Sequence, residues 1–375
     1  MPADLRDDVP TTRLRVPKWL AAVAGAVGTV LGLATNLYSS EFREALSASS
    51  AFASGALSVV IATVVASGTT ALLYRWLSRR SLKQRIPQLE EIKIDPSILS
   101  TVSSEQDTVV GRSLRYLEIK RDSPELVIFL HGLGLDANDF RPYMIESKFH
   151  CVALTLYGFN ADEKDNALYR PISLESHVQL LGYALEKLKD ANPRKRITLI
   201  GFSFGADMIF FLSEYSSSTL RRLNVHRAVL LDPNINQQTT TISSKIANVD
   251  EKWPLEDLVK ILESATDMAE FRNLCEYLYK ITSKNFGQIQ GHARDVIEMW
   301  PGVEYQKFLD RTSRLIQTVG GVRIVLSVNY EQHFNAIAHA ARPRGIESSC
   351  LDIARNYHFD LIETRFLKEL LEGLL

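Results

Sequence analysis

Five short runs of mostly apolar residues limit what this chain of 375 residues can fold into. The runs occupy residues 126–130, 151–156, 197–200, 228–231 and 322–328. A strand that is apolar on both faces must be covered on both sides, as in a parallel sheet between two layers of helices. An alternating run at 113–120 and a short run at 349–354 add a strand at each end, and helical patterns such as 174–188 separate the strands. The sequence therefore predicts an α/β fold with a mostly parallel sheet.

Two uncharged stretches, residues 19–38 and 51–74, precede this pattern. Each has about the 20 residues that a helix needs to cross the hydrocarbon core of a bilayer. Aromatic residues stand at their edges, where amphipathic rings favour the interface between membrane and water. We therefore expect residues 1–85 to form a membrane anchor with two transmembrane helices. The alternatives are a buried hairpin of a soluble protein and a cleaved signal peptide in the first stretch.

Charges around the two stretches predict the orientation of the anchor. Lysines and arginines precede the first stretch and follow the second, whereas the loop between them carries Arg43 and two glutamates. By the positive-inside rule, both ends of the anchor then lie in the cytoplasm. The sequence thus predicts an integral, two-pass membrane protein in contact with membrane lipids, with its catalytic domain in the cytoplasm. Gly28 and Gly32 allow close packing in lipid, so a homo-oligomer through these helices is possible.

Composition excludes several other classes of function. The net charge is −1 and no domain carries a basic excess, so nothing favours nucleic acid as a partner. The three cysteines are odd in number and form no CxxC pair, which argues against a disulfide framework and fits a reducing compartment. The histidines lack the spacing of metal-binding motifs. We therefore expect neither a metal nor another cofactor.

The interval from about 234 to 320 interrupts the alternation of strands and helices. It contains several amphipathic helical stretches and no convincing strand, and it is longer than ordinary connections. We expect a helical cap inserted over the C-terminal edge of the sheet; the alternative is that this interval only extends the core. Residues 86–110 then form a polar connector, and residues 111–375 form the α/β domain that carries the cap.

The pentapeptide GFSFG at residues 201–205 follows one predicted strand directly and precedes an apolar helical pattern. A serine on a sharp turn from strand to helix projects its hydroxyl above the sheet edge. Such a turn needs very small residues two positions before and two positions after the serine, as Gly201 and Gly205 are. Ser203 is therefore the predicted nucleophile. The alternative is a glycine-rich turn without catalysis.

A second motif, HGLG at residues 131–134, follows the predicted strand at 126–130. With these two motifs, the chain resembles the α/β-hydrolase family over residues 110–375. The resemblance implies an α/β-hydrolase fold and an oxyanion hole made by the backbone N–H groups of Leu133 and Phe204. It also implies that His131 is a hydrogen-bonding residue of the turn rather than a catalytic base.

The same resemblance places a catalytic acid and then a histidine after the nucleophile in the chain. His358 follows the predicted last strand and precedes the last helix, which is where the family keeps this histidine. We therefore expect His358 to be the base. His333 and His339 are the other late candidates, but a helix is expected to begin there.

Two carboxylates compete for the role of the acid. Glu331 is the carboxylate nearest to the end of the predicted strand at 322–328, and it is favoured. Asp232 directly follows the run at 228–231 and precedes Pro233, as in some lipases of similar fold, although Asp before Pro is also a common turn former. Neither matches the family's commonest pattern, in which an Asp follows the penultimate strand in a tight turn.

These features predict a membrane-anchored serine hydrolase that cleaves an ester or thioester through a Ser-His-acid triad and an acyl-enzyme. The anchor and an apolar pocket under the cap favour a lipid-like acyl substrate: an acylglycerol, a lysophospholipid or an acyl thioester. The alternative is a non-catalytic hydrolase-fold membrane protein that acts as a binding or scaffolding module. Lyases, peptidases and C–C hydrolases of this fold also stay open.

Overall fold

The computed structural model describes residues 86–99, 103–160, 170–250 and 254–375. The strands in these ranges are β1 (Gln88–Lys93), β2 (Ser113–Ile119), β3 (Glu125–Leu130), β4 (His150–Thr155), β5 (Arg196–Phe202), β6 (Val225–Leu231), β7 (Val322–Leu326) and β8 (Leu351–Ile353). They form one sheet in the order β1-β2-β4-β3-β5-β6-β7-β8. Strand β2 runs antiparallel to both of its neighbours, and every other neighbouring pair is parallel. The predicted α/β fold with a mostly parallel sheet is confirmed.

The five apolar runs of the sequence form strands β3 to β7. Every residue of β3 and β4 is buried, as expected for strands covered on both faces. Strand β1 was not predicted, since it lies within the segment interpreted as a connector. Five of its six residues are exposed, so an edge strand of this kind leaves no apolar run in the sequence.

The α-helices of the described residues are α1 (Ser103–Val109), α2 (Arg141–Glu146), α3 (Leu174–Ala191), α4 (Phe204–Tyr215), α5 (Ser217–Leu223), α6 (Thr241–Ala247), α7 (Pro254–Val259), α8 (Met268–Thr282), α9 (Phe286–Met299), α10 (Gln306–Ile316), α11 (Glu331–Ala341) and α12 (Thr364–Leu374). Helix α3 begins where predicted, and the side chain of Ser173 caps it by accepting a hydrogen bond from the Ser176 N–H. Helix α4 packs on β5 and α3, and α12 packs on α2.

Among the described helices, none combines the length and the apolar character that crossing a membrane requires. The two predicted spans, residues 19–38 and 51–74, lie outside the described residues. The membrane anchor, its orientation and an oligomer formed through it therefore stay predictions.

Five helices, α6 to α10, lie between β6 and β7, and the described residues of this interval contain no strand. The last of them belongs with the helices beside the sheet. In α10, the Phe308 ring lies 5.9 Å from the Phe210 ring of α4, and the Arg311 guanidinium lies 4.9 Å from the Phe211 ring. The interval predicted as a cap at 234–320 thus includes one helix that extends the core.

Candidate active site

The carboxyl ends of parallel strands meet at one edge of a sheet, and ligands of α/β folds bind beyond that edge. In this chain, Leu133 follows β3, Ser203 follows β5 and Asp232 follows β6, while His358 lies in the loop after β8. All four residues line one cavity with a volume of about 290 Å³. The topology therefore brings together residues that are far apart in the sequence.

Ser203 occupies the turn between β5 and α4 with a backbone φ of 51° and ψ of −119°. A positive φ is strained for a residue with a side chain, and it persists only where surrounding contacts fix it. Here the Ser203 N–H donates to the Leu231 carbonyl at 2.8 Å, and the Ser203 carbonyl accepts from the N–H groups of Ala206 and Asp207. The turn is thus held on both sides, and the Ser203 side chain is only partly buried.

The two glycines around Ser203 are required by close backbone contacts. A Cβ atom on Gly201 would lie 2.5 Å from the carbonyl oxygen of Gly205. A Cβ atom on Gly205 would overlap the carbonyl of Leu130 at the end of β3. Only glycine fits at either position, because the start of α4 passes directly over the ends of two strands. The GFSFG motif therefore forms the sharp turn from strand to helix that the sequence predicts.

The side chain of His358 is hydrogen-bonded to Asp232. Nδ1 of His358 lies 2.7 Å from Oδ2 of Asp232, whose side chain is fully buried. The second carboxylate oxygen, Oδ1, accepts from the backbone N–H of Ser327 at 2.6 Å. Because carboxylate oxygens accept hydrogen bonds, this contact favours the tautomer of His358 with the proton on Nδ1 and the lone pair on Nε2. The His358 ring also packs against the ring of Phe202, at a distance of 4.7 Å, immediately before the nucleophile.

The preference for Glu331 over Asp232 does not agree with this geometry. Glu331 is the first residue of α11, its side chain is exposed, and its carboxylate forms no hydrogen bond with His358. A short 3-10 helix, Val328–Tyr330, separates Glu331 from the strand end. The segment after β7 contacts Asp232 through the N–H of Ser327 and places no carboxylate against His358.

Neither of the other late histidines contacts Asp232. His333 lines the cavity, and its Nδ1 lies 2.8 Å from the hydroxyl of Tyr305. His339 is exposed on α11. Of the three late histidines, His358 alone pairs with a buried carboxylate in the described part of the chain.

The two predicted oxyanion donors belong to the turn after β3 and to the start of α4. Phe204 is the first residue of α4, and the first N–H groups of a helix have no partner within that helix. Leu133 lies in the turn after β3. Within the described residues, neither backbone N–H donates a hydrogen bond, so both are available to an oxyanion.

His131 is a structural residue of the HGLG turn. It is fully buried, its Nδ1 donates to the Gly132 carbonyl at 2.8 Å, and its Nε2 accepts from the Leu156 N–H at 3.0 Å. Burial lowers the pKa of His131 to about 4, so the ring is neutral near pH 7. Since both ring nitrogens are occupied, His131 cannot accept a proton from a substrate.

The sequence analysis missed two ion pairs that join α8 and the residues just after it to the segment that follows the HGLG turn. Lys284 Nζ lies 2.8 Å from Oδ2 of Asp136, and Lys280 Nζ lies 2.7 Å from Oδ1 of Asp139. The Lys284 side chain is only 2% exposed, so its charge is stabilised mainly by Asp136. In the sequence, these lysines are indistinguishable from solvated charges on an amphipathic helix, because their partners lie more than a hundred residues away.

The cavity wall is chemically mixed. Leu135, Ile242 and Leu274 contribute apolar surface. Hydroxyl and amide groups come from side chains that include Gln238, Thr241, Ser243, Asn273, Asn329 and Tyr357. Among the described residues, no group of three His, Cys, Asp or Glu side chains is arranged to hold a metal ion. The cavity therefore offers hydrogen-bonding groups as well as apolar surface to a ligand.

No protein-family model and no curated protein matches this chain. Solved structures do match. MenH from S. aureus aligns at 14% sequence identity over 69% of this chain and 96% of that one, with a TM-score of 0.50. This chain has an α/β-hydrolase-like fold. A membrane phospholipase A described as a bacterial virulence factor aligns at 15% identity over 84% of this chain and 97% of that one, with a TM-score of 0.47. A 1H-3-hydroxy-4-oxoquinoline 2,4-dioxygenase aligns at 14% identity over 75% of this chain and 99% of that one, with a TM-score of 0.49. At such identities the fold alone is shared, and the reaction has to be argued from the site.

Proposed function

We propose that this protein is a serine hydrolase that cleaves an ester or thioester, with Ser203 as nucleophile, His358 as base and Asp232 as acid. The hydrogen bond between His358 and Asp232, beside a cavity that Ser203 also lines, carries the proposal. A buried carboxylate in this position keeps the imidazole in the required tautomer and stabilises the imidazolium without taking the proton. The strained backbone of Ser203 is a second support, because such strain concentrates at functional sites.

The reaction follows from the roles of these residues. Ser203 Oγ attacks the carbonyl carbon of the ester while Nε2 of His358 accepts its proton. The carbonyl oxygen becomes negatively charged and accepts hydrogen bonds from the N–H groups of Leu133 and Phe204. Removing one such donor raises the barrier by about 3 kcal/mol in comparable sites. His358 then protonates the leaving alcohol or thiol, and water hydrolyses the acyl-enzyme with the same groups.

We propose further that the substrate is an amphiphilic acyl compound met at a membrane. The two uncharged N-terminal stretches, residues 19–38 and 51–74, support a membrane anchor, which would raise the local concentration of the site near lipid. The mixed lining of the cavity supports a substrate in which a polar group lies close to the scissile bond. The rival function, a non-catalytic binding module, stays open because neither carboxylate matches the family's commonest sequence pattern for the acid. The contact between Asp232 and His358 weakens that reason.

The experiment is fluorophosphonate labelling of membranes that contain the full chain as wild type, Ser203→Ala, His358→Ala or Ser218→Ala. Ser218 is an exposed serine at the start of α5 and serves as the matched control. We expect wild type and Ser218→Ala to be labelled and the other two variants to stay unlabelled. An intact, folded wild type that is not labelled in detergent or in lipid would favour the binding module. In the same membranes, extraction of the wild type by alkaline carbonate would contradict the anchor.

A further inference from the structure

Tyr277 of the cap helix α8 carries a buried hydroxyl group without a partner. The residue is 3% exposed, and among the described residues no group forms a hydrogen bond with its hydroxyl. A hydroxyl that loses water on folding without gaining a protein partner destabilises the folded state. A buried hydroxyl without a partner therefore needs an explanation. One explanation is that a bound ligand supplies the missing hydrogen-bond acceptor.

Tyr330, which lines the same cavity, is a buried tyrosine whose hydroxyl group does have a hydrogen-bond partner. Its hydroxyl is also buried, and it donates to the carbonyl of Pro233 at 3.2 Å. The two tyrosines line the same cavity and differ in that the hydroxyl of Tyr277 faces no protein acceptor in the described residues.

The position of the Tyr277 hydroxyl relates it to the oxyanion donors. A Cβ atom on Gly134 would lie 3.6 Å from the hydroxyl oxygen, so this oxygen rests against the HGLG turn. Leu133, whose N–H is one of the two proposed oxyanion donors, precedes Gly134 directly. The Tyr277 ring packs against the ring of Phe359 at 5.3 Å, next to His358. Burial also raises the pKa of Tyr277 above its ordinary value, so the group stays a donor near pH 7.

We propose that Tyr277 donates a hydrogen bond to an acceptor oxygen of the bound ester, on the side of the cavity where Leu133 lies. The cap helix α8 then supplies one direct contact to the substrate in addition to covering the cavity. This inference rests on the proposed hydrolase function.

The test compares Tyr277→Phe with Tyr279→Phe in the full-length protein in detergent. Tyr279 lies two residues further along the same helix and is 77% exposed, which makes it the matched control. The measurements are kcat and KM for p-nitrophenyl acetate and butyrate, and the rate constant for fluorophosphonate labelling of Ser203. We expect kcat/KM to fall roughly 10- to 100-fold in Tyr277→Phe. This is the size of the effect when a hydrogen bond to a charged oxygen, or to an oxygen that becomes charged in the reaction, is lost. Tyr279→Phe should stay within about twofold of the wild type.

Thermal unfolding separates a contact to the substrate from a structural role. Because Tyr277→Phe removes no hydrogen bond within the described structure, its Tm should equal or exceed that of the wild type. Tyr330→Phe, which leaves the Pro233 carbonyl unpaired, should have a lower Tm. The inference is overturned if Tyr277→Phe retains the kcat/KM of an active wild type, or if its Tm falls along with its activity. A wild type that neither labels nor hydrolyses esters overturns the proposed function itself, and that result is independent of any Tyr277 variant.

Discussion

Nδ1 of His358 and Oδ2 of Asp232 lie 2.7 Å apart, although 126 residues separate them in the chain. Asp232 directly follows β6, the strand next to β5, and β5 leads into the turn that carries Ser203. The backbone φ of Asp232 is 51°, so the chain turns sharply there. The N–H of Ser327, after β7, holds the second carboxylate oxygen. Three neighbouring strands thus contribute to the position of one imidazole.

The first prediction assigns the acid by paired amide substitutions. Asp232→Asn should lower the rate of ester hydrolysis by about 10³- to 10⁴-fold, because the amide no longer enforces the tautomer with the Nδ1 proton. Glu331→Gln should stay within about twofold of the wild type, because its carboxylate is exposed and does not contact His358. Steady-state hydrolysis of a p-nitrophenyl ester measures both. Equal and small losses in the two variants would show that neither carboxylate supports the histidine.

The position of Ser203 on its turn and the position of His358 in its loop were predictable because each depends on a local signal. GFSFG lies between a strand and a helix, and His358 lies between the last strand and the last helix. The parallel sheet was predictable for a similar reason, since strands buried on both faces must be apolar without interruption. Strand β1 carries no such signal because it is an exposed edge strand that pairs only with β2.

The carboxylate that meets His358 was harder to predict because it depends on distances across the sheet. Asp232 and Glu331 both follow predicted strands, and nothing local shows which carboxylate meets His358. A 3-10 helix of three residues separates β7 from Glu331, which is exposed. So short a helix leaves no pattern in the sequence. The ion pair of Lys284 with Asp136 was missed for the same reason, since it joins the cap to the turn after β3.

The second prediction concerns the crossing of α4 over the strand ends. Gly205→Ala should lower the free energy of unfolding by at least about 3 kcal/mol, because the added Cβ overlaps the Leu130 carbonyl and neither backbone can move away. Gly291→Ala is the matched control. Gly291 lies inside α9 with open space around its Cβ position, so alanine should stabilise the protein by about 0.5–1 kcal/mol. Urea unfolding of both variants measures the difference, and similar values would contradict the assigned crossing.

The third prediction is a loss of stability in mild acid that arises from His131. Its folded-state pKa of about 4 lies below the ordinary value of 6.5, so the folded state binds fewer protons than the unfolded state between these two values. Stability contributed by neutral His131 is therefore complete above pH 6.5 and is lost as the pH falls toward 4. The loss from this residue approaches about 1.4 kcal/mol per pH unit.

His131→Gln tests this assignment. The variant should be less stable than the wild type at pH 8, because two buried backbone groups lose their imidazole partner. Between pH 6 and pH 5, however, its free energy of unfolding should fall less steeply. His177, whose pKa burial also lowers, keeps part of the slope in both proteins. Urea unfolding at several pH values measures the slopes, and parallel curves would show that His131 does not cause the loss.

The fourth prediction concerns the ion pair that joins the cap to the HGLG turn. Lys284→Met keeps the apolar length of the side chain but leaves the Asp136 carboxylate without its partner at 2.8 Å. Breaking a buried pair in this way costs more than the pair itself contributes, so the free energy of unfolding should fall by about 2–4 kcal/mol. Lys260→Met removes an exposed partner of Asp257 and should leave the urea midpoint unchanged.

Adding Asp136→Asn to Lys284→Met should recover part of the loss of stability, since no uncompensated charge then remains. Because Asp136 follows the turn that carries Leu133, kcat should fall in Lys284→Met and recover in the double variant. A loss of stability in Lys284→Met that Asp136→Asn only increases would show that the two side chains act independently.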